Sequence, residues 1–286
     1  MGSTEARLGR PVRALVRNPD SPAALRLADL GVKLVRGEFA DTMSVRAAME
    51  GVQSVFSVQP SSGAAGSGIT DAQKVLYGKA IVDLAVQAGV QHIVYSSADL
   101  ISEGPTGLPN LDTKLDIEDC VRRSGVASTI LRPATFMELL TLPGIGLNEG
   151  RITFFLHPEQ SMQVSASEDI GKIAAAVLCW SACYAGQTIS IAGDDLTGLH
   201  QIQDALTVVT GQPVTYHRFP DALLAENEFL ARNAALFDRL QGARGADIAV
   251  LNDEFGALMT LRGVARRPRT APSPICASGQ PARCRA

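Results

Sequence analysis

Short hydrophobic runs alternate with segments of helical spacing along the first half of the chain. The runs predict five β-strands, over 12–16, 32–36, 54–58, 93–96 and 128–131. Apolar residues at helical intervals, closed in most cases by glycine, predict helices between them, over 22–30, 44–49, 71–88 and around 115–121. Strands joined through helices pair in parallel with right-handed crossovers. The pattern therefore predicts an α/β fold, a Rossmann-like doubly wound parallel sheet.

The second half of the sequence alternates less regularly. It predicts strands at 151–156, 162–165, 188–192 and 214–218, and helices at 167–183, 199–209, 221–241 and 247–261. We expect a Rossmann-like domain over 1–133 and a smaller α+β lobe over 134–261, with strands that return to the main sheet and a position over its ligand edge. Residues 262–286 carry Arg and Pro without apolar periodicity, which predicts a disordered tail.

The distribution of charge narrows the range of partners. The formal net charge is −3, but the segment 262–286 holds six arginines and no acid, so residues 1–261 carry 20 − 29 = −9. An acidic body argues against a nucleic-acid partner. The N-terminus lacks the apolar core of a signal peptide, and the longest apolar run, 173–186, is too short to span a bilayer. We expect a soluble, cytoplasmic protein without a membrane partner, and leave monomer and homodimer open.

The cysteines and histidines show no ligand or framework spacing. The chain has five cysteines, an odd number, and we expect reduced thiols. Cys179 and Cys183 lie one helical turn apart and are interpreted as small packed residues. The four histidines have no ligand spacing between them and are interpreted as structural. No metal site is predicted.

Polar side chains gather where predicted strands end, which is where ligands bind to open α/β sheets. Ser96 and Ser97 close one strand and could donate hydrogen bonds to a substrate carbonyl, although serine is also common at strand ends. We expect Asp112 or Thr113 to cap the next helix. Lys114 then falls in the first turn, beside the positive end of the helix dipole. An anionic or ribose ligand would explain that placement, and so would pairing with Asp112 or Glu118.

Two further strand ends carry candidate nucleotide contacts. Arg17 follows the strand 12–16 and could accept the 2′-phosphate of NADPH, which would favour NADPH over NADH; the alternative is a solvated arginine in a turn. Glu38 and Phe39 follow the strand 32–36, near the expected place of an adenine ring. A capping acid and a core aromatic are the alternative interpretation of that pair.

Five segments together resemble the NmrA-like family, atypical short-chain dehydrogenase/reductases that include NAD(P)H:quinone oxidoreductases and redox-sensing regulators. The matching segments are Val12–Pro19, Gly37–Asp41, Gly89–Ser97, Lys114 and Leu131–Phe136. The resemblance covers roughly residues 8–260 and implies a Rossmann-like domain that holds NADP(H) at its strand ends. It places the cofactor-binding residues at Arg17, Asn18, Glu38, Phe39, Val58, Gln59, Pro60 and Lys114.

The sequence departs from that family at two places. The family opens with a strand and a Gly-x-x-Gly-x-x-Gly turn that cradles the pyrophosphate, whereas this sequence starts near the end of the following helix, at about 5–9. We therefore expect a truncated NAD(P)-binding domain, or another segment in the place of that strand. The short-chain dehydrogenase pattern Tyr-x-x-x-Lys would put tyrosine four residues before Lys114, but Asn110 stands there.

The resemblance favours an NAD(P)H-dependent oxidoreductase that passes hydride from NADPH to a small quinone or carbonyl compound. Lys114, Ser96 and Ser97 are the candidate catalytic residues, with Lys114 near the nicotinamide ribose. Two alternatives stay open: a non-catalytic redox-sensing or regulatory protein, and a chain that no longer binds cofactor. The departure at Asn110 and the missing glycine-rich turn both favour the first of these alternatives.

Overall fold

A computed structural model describes residues 11–61, 68–102, 104–141, 147–240, 245–264 and 282–285. The first half contains strands β1 (Arg13–Val16), β2 (Lys33–Arg36), β3 (Ser54–Ser57), β4 (His92–Ser96) and β5 (Ala127–Pro133). Its helices are α1 (Pro22–Asp29), α2 (Thr42–Met49), α3 (Asp71–Gln87) and α4 (Pro109–Arg123).

The second half carries six more strands and seven more helices within the described ranges. The strands are β6 (Thr135–Phe136), β7 (Arg151–Phe154), β8 (Ser161–Ser165), β9 (Thr188–Ile191), β10 (Asp194–Thr197) and β11 (Thr215–Arg218). The helices are α5 (Ser167–Cys179), α6 (Ser181–Tyr184), α7 (Gly198–Thr210), α8 (Asp221–Glu226), α9 (Glu228–Leu240), α10 (Ile248–Phe255) and α11 (Leu261–Val264). Short 3₁₀ turns lie at Asp99–Ile101, Met137–Thr141, Leu147–Glu149 and Ala282–Arg285.

The main sheet is four-stranded and parallel, in the order β3-β4-β5-β9. Alternate residues of β4 face opposite sides: Ile93 and Tyr95 pack against α2, α3 and α4, and Val94 packs against α5 and α10. Helices on both faces of a parallel sheet confirm the predicted doubly wound α/β fold. None of the helices in the described ranges is long and apolar enough to cross a bilayer.

The strands β1 and β2 form a separate parallel pair. In the common doubly wound order, the first strand of the fold lies between such a pair and the other strands. No strand within the described ranges joins the pair to the main sheet through a ladder. The pair reaches the rest of the domain through side chains instead, because Leu15 and Phe39 pack on the cluster that includes Val45 and Ile81.

The smaller lobe has a three-stranded sheet, in the order β10-β8-β6, and a parallel pair of β7 and β11. Its core groups Ile152, Phe154 and Val164 with Leu206 from α7 and Phe237 from α9. The strand β9 belongs to the main sheet, where it pairs with β5. The second half differs from the sequence prediction in several details: β6 and β10 are additional strands, the predicted helices 167–183 and 221–241 are each divided in two, and the helix predicted over 247–261 ends at Phe255.

The helix that carries Lys114 starts earlier than the sequence predicted. Pro109 occupies the first position of α4 and Leu108 precedes it as N-cap residue, without a side-chain cap. Proline suits that position because its missing N–H has no helical partner there. The carboxylate of Asp112 turns back to accept from the backbone N–H of Thr106 at 2.7 Å and of Gly107 at 3.0 Å. The prediction of Asp112 or Thr113 as cap was therefore wrong, and Lys114 lies in the second turn.

One pair of cysteines differs from the expectation of reduced thiols. Cys183 is bonded to Cys284, with the two Cα atoms 5.7 Å apart. The turn Ala282–Arg285 also contacts α10, because the backbone N–H of Arg283 donates to Glu254 at 3.2 Å. This turn lies within the segment predicted as disordered, and residues 265–281 and 286 lie outside the described ranges. A pairing across 101 residues leaves no signature in local sequence spacing.

Candidate functional site at the strand ends

Lys114 reaches from α4 to the carboxyl end of β4. Its Nζ donates to the backbone carbonyl of Ser96 at 3.2 Å and lies 5.8 Å from the ring centroid of Tyr95. Burial, and after it the positive charge of Lys74, lower the pKa of Lys114 to about 7, against the opposing effect of Glu118. Lys114 is half-buried, so a ligand at the strand ends has access to an amine that changes protonation near neutral pH.

A second lysine, Lys74 of α3, lies next to this group and was missed by the sequence analysis. It is fully buried, and its Nζ donates to the backbone carbonyl of Asn110 at 2.5 Å. Burial lowers the pKa of Lys74 to about 8, and Asp71 raises it in part. A signal was present in the sequence, because Lys74 shares the inward face of α3 with Gly78 and Ala85 at helical spacing.

Arg132, at the end of β5, is engaged by a buried carboxylate. Glu118 has no exposed surface and accepts from Arg132 Nε at 2.9 Å and Nη2 at 2.7 Å, and from Arg122 Nη2 at 2.8 Å. Burial alone would raise the pKa of Glu118, but the hydrogen bonds and positive charge of Arg132 hold it below its ordinary value. Arg132 therefore fixes α4 against the sheet.

Buried polar atoms remain without a hydrogen bond at the ends of β3 and β4. Gln59 donates from Nε2 to Ser57 Oγ at 2.8 Å, but its Oε1 has no partner within the described ranges. The Ser97 hydroxyl is also buried; it lies beside Glu118 and helps to lower the pKa of that carboxyl, and no other partner for it lies within the described ranges. Ser96, also buried, contributes its carbonyl to Lys114. Buried polar groups in this condition call for a ligand or an ordered water.

The remaining predicted cofactor residues lie at the ends of β1, β2 and β3. Arg17 and Asn18 are exposed, and Asn18 Oδ1 accepts from the backbone N–H of Asp20 at 3.0 Å. Glu38 is exposed, whereas Phe39 is half-buried with its ring centroid 6.2 Å from that of Tyr77. Val58 and Pro60 are exposed and flank the buried Gln59. These residues follow three separate strands, and their side chains make no hydrogen bond to Lys114 within the described ranges.

A small cavity of about 30 Å³ lies between the end of the main sheet and the second lobe. Its lining comprises Asp99, Leu100 and Ala134 on the side of the main sheet, and Thr135, Ser161, Met162, Gln163, Phe237 and Leu240 on the side of the lobe. Burial raises the pKa of Asp99, while the hydrogen bond from Ser190 and the charge of Arg132 lower it in part.

The described residues contain no cluster of histidine, cysteine and carboxylate groups able to hold a metal ion. His92 is buried, and its Nε2 lies 3.0 Å from Thr129 Oγ1. Burial lowers the pKa of His92, so the imidazole is neutral at physiological pH. This residue bridges two strands of the main sheet.

Two known proteins are similar to this chain in sequence. An NmrA-like oxidoreductase from Penicillium ochrochloron, ptmS, is 28% identical over 224 residues, which cover 72% of this chain and 67% of that protein. Quinone oxidoreductase 2 of Escherichia coli is 25% identical over 242 residues, 79% of this chain and 80% of its own.

Two solved structures share the fold at lower identity. Quinone oxidoreductase 2 in complex with NADPH superposes with a TM-score of 0.72, at 22% identity and over 91% of this chain and 92% of its own. NmrA, a negative transcriptional regulator in complex with NAD, superposes with a TM-score of 0.74, at 20% identity and over 92% and 90%. The sequence model of the NmrA-like family matches residues 3–246. The chain therefore belongs to the NmrA-like family.

Proposed function

We propose that the chain is an NADP(H)-dependent oxidoreductase whose acceptor is a small quinone or carbonyl compound. The observation that carries the proposal is Lys114, a half-buried amine of depressed pKa at the carboxyl end of the parallel sheet. Perturbed amines in that position are typical of functional sites. The oxidoreductases among its relatives support the choice of chemistry, and the complexes of two fold relatives with NADPH and NAD support the choice of cofactor.

The residues present fit such a dinucleotide at the strand ends. Gln59 Oε1 is a buried acceptor without a hydrogen bond in the part of the chain that the structure describes, of the kind that an amide or ribose donor would satisfy. Arg17 is exposed after β1, where a guanidinium group can engage a 2′-phosphate in two hydrogen bonds. We assign Asn18, Glu38, Phe39, Val58 and Pro60 to the same site by position.

We assign cofactor binding and acceptor binding to different halves of the fold. Residues 1–133 would hold the cofactor, and residues 134–261 would close over the acceptor at the cavity beside Asp99. A bound reduced nicotinamide supplies the hydride. Lys114 orients the ribose and holds a proton at Nζ that is exchangeable near neutral pH, while Ser96 or Ser97 donates a hydrogen bond to the acceptor oxygen.

A non-catalytic redox sensor is the second candidate, and one residue favours it. Asn110 stands where the short-chain dehydrogenase pattern has tyrosine. Tyr95, whose ring centroid lies 5.8 Å from Lys114 Nζ, is a poor replacement acid, because burial raises its pKa well above its ordinary value. Binding of NAD by the fold relative NmrA, a transcriptional regulator, is compatible with this alternative.

The two candidates separate in an assay of NADPH oxidation with a panel of quinones and simple aldehydes. The proposed function predicts turnover with at least one acceptor. We expect Lys114→Met to lower kcat by about 100-fold, the usual contribution of a positioned acid or base. Lys79→Met, at an exposed lysine of α3, is the matched control and should keep full activity. Tight NADPH binding without turnover of any acceptor would decide for the sensor.

A further inference from the structure

We infer that Lys74 is a positioning residue for the Lys114 site. Its ammonium group holds the carbonyl of Asn110, one helical turn before Lys114, and places a second positive charge beside the Lys114 amine. The inference rests on the proposed role of Lys114. The contact with Asn110 and the effect of the second charge are present in the cofactor-free protein, and both are tested there.

The first support is the contact geometry. The Nζ of Lys74 crosses from α3 to α4 and meets the carbonyl of Asn110 at 2.5 Å, with no exposed surface on the side chain. The hydroxyl of Thr113 donates to the same carbonyl at 3.3 Å. Removal of the ammonium group would leave that carbonyl with a weaker set of donors. The backbone that leads into Lys114 is thus held from the neighbouring helix.

The second support is the close approach of the two helices. Gly78 lies one turn after Lys74 on the same face of α3, and a Cβ added there would lie 2.5 Å from Cδ1 of Ile117. A glycine at this point lets α3 and α4 approach closely enough for Lys74 to reach the first turn of α4. Lys74 therefore belongs to a close packing contact between α3 and α4.

The third support is an excess of positive charge around Lys114. Lys74 faces it from α3, Glu118 faces it from its own helix, and the ring of Tyr95 faces it from β4. The carboxylate of Glu118 is already shared between Arg132 and Arg122. Like charges at short range make each ammonium group easier to deprotonate.

Asp71 completes the set of charges, because it faces Lys74 from the first turn of α3 and keeps that lysine more readily protonated. The positive end of the α4 dipole adds to the excess near Asn110. This arrangement of charges favours a protonated Lys74 and a Lys114 that releases its proton near neutral pH. Lys114, the more exposed of the two amines, would then be the cation available to an anionic cofactor at the strand ends.

The test uses the full chain without cofactor. The pH dependence of Lys114 acetylation by trace acetic anhydride, read by peptide mass spectrometry, reports the pKa of that amine. We expect Lys74→Met to move the midpoint upward by about one pH unit, because a like charge is removed. Lys74→Arg should keep the midpoint near its original value, and Lys79→Met, on the exposed face of α3, should leave it unchanged. An unmoved midpoint in folded Lys74→Met would overturn the inference.

A second variant keeps the inference testable if Lys74→Met does not fold. Asp71→Asn leaves the buried core intact and makes Lys74 easier to deprotonate, so the midpoint of Lys114 should move upward by a smaller amount. A downward shift, or none, would contradict the proposal. If the protein shows quinone turnover, the pH profile of kcat should move in the same direction with little change in KM. If it shows none, the acetylation result still decides the role of Lys74.

Discussion

Glu118 illustrates how a single buried side chain ties the site to the fold. It is a carboxylate without exposed surface that accepts hydrogen bonds from two arginines, one on its own helix and one on β5. Burial acts to raise its pKa, and the arginines more than offset this. A carboxylate with a folded pKa below its unfolded value of about 4.3 stabilises the protein above that pH. The stabilisation is lost as pH falls through the folded pKa.

Replacement of this carboxylate gives a prediction with a defined pH dependence. Glu118→Gln should lower the free energy of unfolding by about 3 kcal/mol at neutral pH, because it leaves Arg132 without its counter-charge. The difference from the unmodified protein should shrink near pH 3, where Glu118 is itself protonated in the unfolded chain. Urea unfolding at both pH values measures it.

The matched control is the exposed pair of Asp119 and Arg123, one residue further along α4. Asp119→Asn should cost about 0.5 kcal/mol or less, since exposed ion pairs contribute little. An equal loss in Glu118→Gln at neutral and acid pH would contradict the account of this ion pair.

The sequence predicted which residue types meet at the strand ends but not their partners. Ser96 and Arg132 lie at the carboxyl ends of β4 and β5 as predicted, whereas Lys114 lies in the second turn of α4 instead of the first. Their partners are separated by 14 or more residues: Arg132 pairs with Glu118, and Lys114 with the carbonyl of Ser96. Such contacts depend on how a helix is rotated against the sheet, which local spacing does not specify.

At the scale of elements, the packing of α3 on α4 determines where Lys114 points. Gly78 and Ile117 meet at this contact. A glycine in the middle of a helix costs about 1 kcal/mol relative to alanine, so its presence in α3 is explained by the close approach of the neighbouring helix.

The contact predicts an unusual response to a helix-favouring substitution. Gly78→Ala should lower the free energy of unfolding by about 1–3 kcal/mol, because the new Cβ overlaps the side chain of Ile117. Ile117→Val removes the Cδ1 atom that lies closest to it, so the double variant should recover part of the loss. Thermal or urea unfolding of the two single variants and the double variant measures the coupling. A stabilised Gly78→Ala would show that the helices are further apart than described.

Elements of strong periodicity were predicted closely, and short or polar ones were not. The strands β1 to β4 lie within one residue of their predicted bounds, because each is an apolar run between turn residues. The strand β10 begins with Asp194 and Asp195 and has no apolar alternation, so its pairing with β8 has no local signal. The predicted helix 221–241 breaks at Asn227, whose Oδ1 accepts from the backbone N–H of Leu230 at 3.1 Å.

At the scale of the whole molecule, the proposed cofactor site spans two groups of strands. Arg17 and Glu38 follow the pair β1–β2, whereas Gln59, Ser97 and Lys114 belong to the main sheet and its helix. No described ladder connects the two groups; the pair is linked to the rest of the domain by side-chain packing and by hydrogen bonds from Arg13 to the carbonyls of Ala48 and Glu50. Binding of a dinucleotide therefore requires both groups of strands to be correctly placed, and it tests their relative position more fully than any single residue does.

The most direct measurement is a calorimetric titration of the full chain with NADPH and, separately, with NADH. The account predicts micromolar binding and a preference for NADPH of about tenfold, the value of one charge-assisted contact to the 2′-phosphate. Arg17→Ala should abolish the preference, whereas Arg26→Ala, at an exposed arginine of α1, should retain it. A folded protein that binds neither nucleotide would contradict the proposed function.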